Sequence, residues 1–162
     1  NDLTKSEKKI NSIDEKFKNL KIIQNAFLHC FYDSEKTELY FNEISTNIKT
    51  DFSRYNYFYA SFLLDSNKTR QAMNLVNSSL KLYPRNLLLN QLKLDLDKGK
   101  RKKNFNCKSI SHVVAEIFYI TANALSSQNI YAFSNFYLNL SKYLNSDFFP
   151  FNSLLEENFF NI

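Results

Sequence analysis

The side chains that could bind a metal or catalyse a reaction are few in this sequence and poorly spaced. His29 and Cys30 are adjacent, and His112 stands five residues after Cys107, whereas paired metal ligands on a helix face are separated by three or four positions. No serine carries a local signature that would pair it with either histidine as nucleophile and base. The sequence therefore predicts no metal site, no catalytic site and no cofactor.

The supply of glycine is a second constraint on chemistry. Gly99 is the only glycine in the chain, whereas loops that cradle phosphates need glycines so that the backbone can approach the ligand. A dinucleotide-binding fingerprint, a P-loop and a nucleophile elbow are therefore excluded. Glu156 and Glu157 are neighbours on a predicted helix, so their carboxylates point in different directions and form no catalytic pair. We expect a protein that is not an enzyme.

The composition is that of a folded, moderately basic chain. Hydrophobic residues make up 44% of the 162 residues and aromatic residues 16%, and the net charge is +5, which is enough apolar surface for a core. Much of the positive charge lies near the N-terminus and in residues 98–103. We interpret the basic run 98–103 as a solvated loop. Nucleic acid or an acidic membrane surface is the alternative partner.

The two cysteines belong to no CxxC pair, so thiols are expected, and one disulfide is the alternative.

Helical periodicity accounts for most of the chain, because apolar residues recur every three or four positions between short polar turns. The predicted helices cover residues 12–31, 35–48, 54–64, 69–83, 86–96, 109–125 and 131–144, with another that starts near Pro150. No segment alternates as a strand would, and no apolar stretch is long enough to cross a membrane. We therefore predict a single all-α domain over residues 1–162, built from antiparallel helical hairpins with an irregular basic linker near 97–111.

Aromatic residues are concentrated in stretches 31–32, 55–62, 133–137 and 148–151. Their spacing follows helical periodicity, so we expect them to pack in the core and between hairpins. Stacking on single-stranded nucleic acid is one alternative. An apolar patch that seals a dimer or covers the next repeat is the other.

An internal repeat is visible at an offset of 62 residues, at which residues 53–86 align with residues 115–148 without a gap. Seven positions are identical: Tyr57/Tyr119, Ala60/Ala122, Leu63/Leu125, Asn67/Asn129, Asn77/Asn139, Ser79/Ser141 and Leu82/Leu144. The alanines at 60 and 122 stand in the middle of apolar helices, where a small residue lets a partner helix approach closely. Ala72 and Ser134 are small residues early in the following helices.

This pattern, which ends at Pro84 in the first copy, resembles the tetratricopeptide repeat, a 34-residue helix–turn–helix unit of large and small residues. It falls on Asn56, Tyr59, Ala60, Leu63, Ala72, Val76 and Pro84, and again on Phe118, Thr121, Ala122, Leu125, Ser134, Leu138 and Ser146. The chain departs from the family pattern at Asn56, Thr121, Ser134 and Ser146. It is also similar to bacterial multi-repeat proteins, and its Asn- and Lys-rich composition suits an AT-rich bacterial genome.

The resemblance implies a short right-handed solenoid of about seven or eight helices whose first helices line a concave groove. The residues that it places in the groove are Arg54, Tyr57, Ser61 and Asp65 in the first copy, and Glu116, Tyr119, Asn123 and Ser127 in the second. It implies a non-enzymatic scaffold that binds a protein or peptide segment there. Packing of Tyr57 and Tyr119 against an adjacent hairpin is the alternative.

Two other functions are open at this point. One is binding of nucleic acid through the basic residues 98–103, which we consider less favoured. The other is a structural role in a larger solenoid or a homo-oligomer. A cytoplasmic location is favoured, and export would follow if a signal peptide precedes Asn1.

Overall fold

The computed structural model describes residues 2–47, 49–100, 103–147 and 150–160. This part of the chain is 76% helical, with nine α-helices and no strand, so the all-α prediction is confirmed. The α-helices are α1 (Asp2–Asn11), α2 (Lys18–Phe31), α3 (Thr37–Thr46), α4 (Ser53–Asp65), α5 (Thr69–Leu82), α6 (Leu87–Asp97), α7 (Ile110–Ser126), α8 (Tyr131–Leu144) and α9 (Pro150–Phe160).

The chain divides into two compact units, Asn1–Lys103 and Asn104–Ile162. In the first unit each helix from α1 to α6 packs on the next, and α4 also packs on α6. In the second unit α7, α8 and α9 pack on one another. The prediction of a single domain stays a prediction. None of the helices in the described ranges combines the length and the apolar content that crossing a bilayer requires.

The helix predicted over residues 12–31 is wrong in its first part. The chain instead forms α1, then a turn, then one 3-10 turn at Glu15–Phe17 before α2 begins. The cap of this turn is Asp14, whose Oδ1 accepts the Lys16 N–H at 2.9 Å. Helix α1 contains only two large apolar residues, Leu3 and Ile10, which is too few to produce the periodicity that identifies a helix in a sequence.

One turn geometry ends four of the helices. The left-handed residues Asp33, Asn67, Gly99 and Asn129 follow α2, α4, α6 and α7, with φ of 54°, 60°, 62° and 63°. The N–H of the next residue donates to the carbonyl oxygen five residues back: Ser34 to His29, Lys68 to Leu63, Lys100 to Asp95 and Ile130 to Leu125, at 2.8–2.9 Å. This is the Schellman motif, which satisfies carbonyls at a helix end. Asp, Asn and Gly are the residues that tolerate its left-handed position.

Small buried residues stand on both sides of these turns in the hairpins α2–α3, α4–α5 and α7–α8. Ala26, Ala60 and Ala122 each stand seven residues before the left-handed residue, and each is fully buried. The first buried residues of the second helices are Thr37, Ala72 and Ser134. The hairpin α2–α3 is therefore a third copy of the motif, which the sequence comparison missed.

Helix α6 ends like the first helix of a hairpin, but a non-helical stretch follows it instead of a second helix after a short turn. Residues 98–100 and 103–109 are not helical, so the irregular linker predicted near 97–111 is confirmed for these residues. Asn86, the predicted start of α6, is its N-cap, and its Oδ1 accepts the Leu89 N–H at 3.1 Å. The helix predicted to start near Pro150 is confirmed, because α9 begins at that residue.

Aromatic rings fill the core of the first unit. Phe27 of α2 meets Phe41 of α3 at 6.2 Å between ring centroids, and meets Phe58 of α4 at 5.4 Å. Phe41 in turn stacks on Tyr59 at 5.3 Å and lies 5.9 Å from Phe62. Such pairs add about 0.5–1.5 kcal/mol each beyond the burial of their area. The prediction that the aromatic stretch 55–62 belongs to the core is confirmed.

Hydroxyl and amide groups join the helices of the second unit. Ser134 Oγ donates to the Ala122 carbonyl at 2.9 Å, and Ser141 Oγ donates to the Ala115 carbonyl at 2.8 Å. The Asn158 amide of α9 is fully buried. It donates to Ser134 Oγ at 2.8 Å and accepts from a hydroxyl of α7 at 2.6 Å. Each buried polar group in this set is therefore paired, as buried polar groups must be.

The two cysteines are not thiols. Cys30, in α2, and Cys107, which precedes α7, are both buried. Both are disulfide-bonded. The expectation of two thiols is therefore wrong, and neither residue belongs to a local motif that would have signalled the bond.

The small residue at a helix crossing provides a test of the packing. We expect Ala122→Leu to lower the free energy of unfolding by about 1–3 kcal/mol, because the added atoms must displace a packed neighbour. Ala124→Leu is the matched control. It lies on the same helix but is exposed, so it should change stability by less than about 0.5 kcal/mol. Urea unfolding curves measure both, and equal midpoints for the two variants would contradict this packing.

Candidate functional site

The four groove residues predicted in the first copy lie along α4 but differ in exposure. Tyr57 and Ser61 are only 5% and 8% exposed, Arg54 is half-buried, and Asp65 is exposed. The Arg54 guanidinium lies 5.6 Å from the centre of the Phe58 ring. The Asp65 carboxylate lies 3.1 Å from Lys103 Nζ, so one residue of the basic segment 98–103 pairs with an acidic side chain of its own unit.

The residues predicted in the second copy show the same variation along α7. Glu116 is 2% exposed and Tyr119 is half-buried, while Asn123 and Ser127 are exposed. The Ser127 hydroxyl donates to the Ala124 carbonyl at 2.9 Å, which is a contact with its own helix. In both copies the exposed members therefore stand near the C-terminal end of the first helix. The burial of Tyr57, Ser61 and Glu116 means that a guest could touch them only if they become uncovered, so their groove role stays a prediction.

Helix α8 presents an exposed aromatic face, which consists of Phe133, Phe136 and Tyr143. These side chains are 63%, 56% and 85% exposed. Their spacing places them on one side of the helix, while Ser134, Leu138 and Ser141 on another side are buried. The prediction that the stretch 133–137 packs in the core is thus wrong for Phe133 and Phe136. Helical periodicity identified the helix but not which of its faces is covered.

The hairpin fold does not require aromatic residues on this face. At the offset of 62 residues, the equivalent positions on α5 are Gln71, Asn74 and Lys81, and all three are exposed and polar. Two hairpins with the same turn geometry therefore carry opposite surfaces at the same positions. Since exposed clusters of large apolar side chains mark interaction sites, the aromatic face of α8 is the strongest candidate site in the second unit.

A polar cluster in the first unit joins α1 to the hairpin α2–α3. The His29 imidazole is buried, with Nδ1 2.9 Å from Ser34 Oγ and Nε2 3.5 Å from Glu7 Oε1. The Tyr40 ring stacks on the imidazole with 4.9 Å between centroids. Lys36 Nζ donates to Glu7 Oε1 at 3.1 Å. The cluster therefore ties a carboxylate of α1 to side chains at the end of α2 and on either side of the start of α3.

Hydroxyl, imidazole and carboxylate groups also form the triad of many hydrolases, but the contacts of this cluster describe a structural role. His29 is almost inaccessible to solvent, and its Nε2 makes no hydrogen bond. The Ser34 hydroxyl accepts the Lys36 N–H at 3.3 Å, which shapes the turn before α3. The spacing of five residues from His29 to Ser34, across the left-handed Asp33, was the one sequence signal that could have identified the pair.

Burial of His29 and the hydrogen bond to Glu7 determine the protonation of this cluster. Desolvation lowers the pKa of His29, and it outweighs the opposing effect of the nearby Glu7 carboxylate. The hydrogen bond from Lys36 lowers the pKa of Glu7, which therefore stays charged near neutral pH. The neutral imidazole carries one proton, and the Glu7 carboxylate beside Nε2 favours the tautomer with that proton on Nε2. Nδ1 then accepts a hydrogen bond from the Ser34 hydroxyl.

Among residues 2–47, 49–100, 103–147 and 150–160, no group of three or more His, Cys, Asp or Glu side chains could share a metal ion. Comparison with known proteins gives no relative from which a site could be transferred. No protein-family model, curated protein or solved structure matches this chain. The candidate surfaces therefore rest on the geometry of this chain alone.

The lowered pKa of His29 predicts how stability depends on pH. Between its folded pKa and its unfolded pKa of about 6.5, only the unfolded state binds the proton. The contribution of neutral His29 to the free energy of unfolding should therefore be fully present above about pH 6.5. As the pH is lowered below that value, the free energy of unfolding should fall by at most about 1.4 kcal/mol per pH unit. Urea unfolding between pH 5 and 8 measures this slope. His29→Gln should flatten the dependence of the free energy of unfolding on pH, and the control His112→Gln should leave the contribution of His29 in place. An unchanged slope in His29→Gln would contradict the assignment of this pH dependence to His29.

Proposed function

We propose that this chain is a non-enzymatic interaction module of the tetratricopeptide-repeat type, which binds a protein or peptide segment. The observation that carries the proposal is the aromatic face of α8, where Phe133, Phe136 and Tyr143 are exposed although the fold tolerates polar residues at the equivalent positions. Exposed aromatic side chains are costly in water, and they are enriched where proteins bind one another.

The recurring hairpin geometry supports the repeat type. The distance from Asp33 to Asn67 is 34 residues, the length of a tetratricopeptide unit. The same left-handed turn and a fully buried alanine recur in the hairpin α7–α8. The right-handed stacking of a solenoid is part of the proposal.

The concave groove remains part of the proposal as well. Of its predicted residues, Asp65, Asn123 and Ser127 are exposed, and Arg54 and Tyr119 are half-buried. These side chains offer charge and hydrogen-bonding groups to an extended backbone. The aromatic face of α8 offers apolar area, so the two surfaces would contribute different kinds of contact to one guest.

A variant of α8 that borrows the residues of α5 tests the proposal. Phe133→Gln, Phe136→Asn and Tyr143→Lys place on α8 the side chains that this chain itself uses at positions 71, 74 and 81. The variant should fold with unchanged helicity by circular dichroism. Affinity capture from native lysate should lose a partner that the unaltered chain retains, because each aromatic side chain contributes about 1–2 kcal/mol to a typical interface.

Two further variants separate the surfaces. Gln71→Ala with Asn74→Ala changes the equivalent positions on α5 and should leave the captured partner in place. Tyr57→Ala and Tyr119→Ala report on the groove. Because Tyr57 is buried, loss of the partner assigns it to the groove only when the variant keeps the helicity of the unaltered chain by circular dichroism. If the captured proteins and their affinities are the same for the α8 variant and for both tyrosine variants, the interaction module is wrong.

A further inference from the structure

A groove runs along the surface of the first unit between α5 and α6. Its first half has a volume of about 500 Å³ and its second half about 440 Å³. The residues that line one or both halves are Asn77, Leu80, Lys81, Pro84, Asn90, Lys93, Leu94 and Asp97. Leu80 and Lys93 line both halves, so the two form one continuous groove.

The interface between α5 and α6 lacks the aromatic rings of the interface before it. Counted from the left-handed residues, Tyr59 and Phe62 of α4 correspond to Gln91 and Leu94 of α6. Phe41 of α3 meets both rings. It is the second of three buried residues in α3, and Val76 is the second of three buried residues in α5. Of these three smaller side chains only Leu94 lines the groove, where a leucine stands in the place of the Phe62 ring.

The charge of the groove is uneven along its length. Lys81 is exposed, and Lys93 Nζ donates to the neutral Asn77 side chain at 2.8 Å. Neither lysine forms an ion pair in the described part of the chain. Lys81 lines only the half near Asn77, and that half has no acidic lining residue, so it is basic. In the other half, Lys93 and Asp97 accompany Asn90 and the apolar side chains of Leu80, Pro84 and Leu94.

The outer side of α9 carries the complementary groups. Glu156 is exposed, and Phe159 and Phe160 are 66% and 91% exposed, while Phe151 and Leu154 are buried. Residues three and four apart lie side by side on a helix, so the carboxylate of Glu156 lies beside both rings. An acidic group next to an aromatic ring matches the lysines of the groove and the apolar side chains of Leu80 and Leu94 beside them.

We propose that the end of α9 of one copy docks into the groove between α5 and α6 of a second copy. Glu156 then faces Lys81 and Lys93, and a phenylalanine ring packs beside Leu80 and Leu94. The groove and the α9 segment are different surfaces, so every copy carries one of each. Such a head-to-tail contact adds copies in series until the chain of copies closes into a ring. This proposal does not depend on the aromatic face of α8.

Sedimentation velocity of the whole chain tests this proposal up to about 1 mM. The unaltered chain should show a mean mass that rises with concentration. Lys81→Glu with Lys93→Glu disables the groove, and Phe159→Ser with Phe160→Ser disables α9. Each pair of changes should weaken self-association by at least about tenfold. Lys9→Glu with Lys142→Glu is the control, because it makes the same change in charge at exposed lysines of other helices and should behave like the unaltered chain.

Mixing the two disabled variants gives the decisive result. One variant keeps a working α9 and the other a working groove, so the mixture should form a dimer and nothing larger. A monomeric unaltered chain at every concentration would overturn the proposal, as would self-association that persists in either variant or a mixture that stays monomeric. The polar variant of α8 should still self-associate, which separates a failure here from a failure of the proposed partner-binding function.

Discussion

The close approach of paired helices at small buried residues is the constraint on which the structure depends. Ala26, Ala60 and Ala122 are fully buried, and a larger side chain at such a crossing would push the two helices apart. The approach also requires that the chain reverse within a few residues, which the left-handed residue at the end of each first helix makes possible. Turn and crossing therefore act together, and their fixed separation of seven residues is what repeats along this chain.

What fills the space beside each hairpin then determines which surfaces remain open. Stacked rings close the interface between α3 and α4, whereas a groove lies open between α5 and α6. Helices α5 and α8 differ in the same way. Their buried residues stand at equivalent positions, but the exposed face of α5 is polar and that of α8 is aromatic. In this chain the hairpin is the common scaffold, and the residues that do not touch its inner faces give each copy its own surface.

The sequence predicted the fold class and most helices correctly, because apolar periodicity is strong in α2 to α8. It missed α1, which has too few apolar residues for that signal. It also missed the first hairpin as a repeat, since Thr37 follows Asp33 by four residues, while Ala72 follows Asn67 by five. That shift of one residue spoils any ungapped alignment. Recognising the motif required the backbone angles at positions 33, 67 and 129.

Candidate sites were harder to predict than elements. Tyr57 and Glu116 follow the spacing expected of groove residues, yet they are buried, because position on a helix does not determine what covers it. Phe133 and Phe136 show the converse, since aromatic residues at helical spacing look like core residues until their neighbours are known. The pairing of His29 with Glu7 depends on where α1 returns, and no local pattern in the sequence encodes that.

The two kinds of helix contact have different mechanical consequences. Rings such as Phe27 and Phe58 keep much of their contact when one helix slides along another by a fraction of a turn. The hydroxyls of Ser134 and Ser141 cannot do so, because each reaches a single carbonyl oxygen of α7 and a shift of about 1.5 Å, one residue of helical rise, would break both bonds. The hydrogen bonds therefore hold α7 and α8 at one axial offset from each other. A partner bound to α8 would meet side chains whose position along the helix axis is fixed.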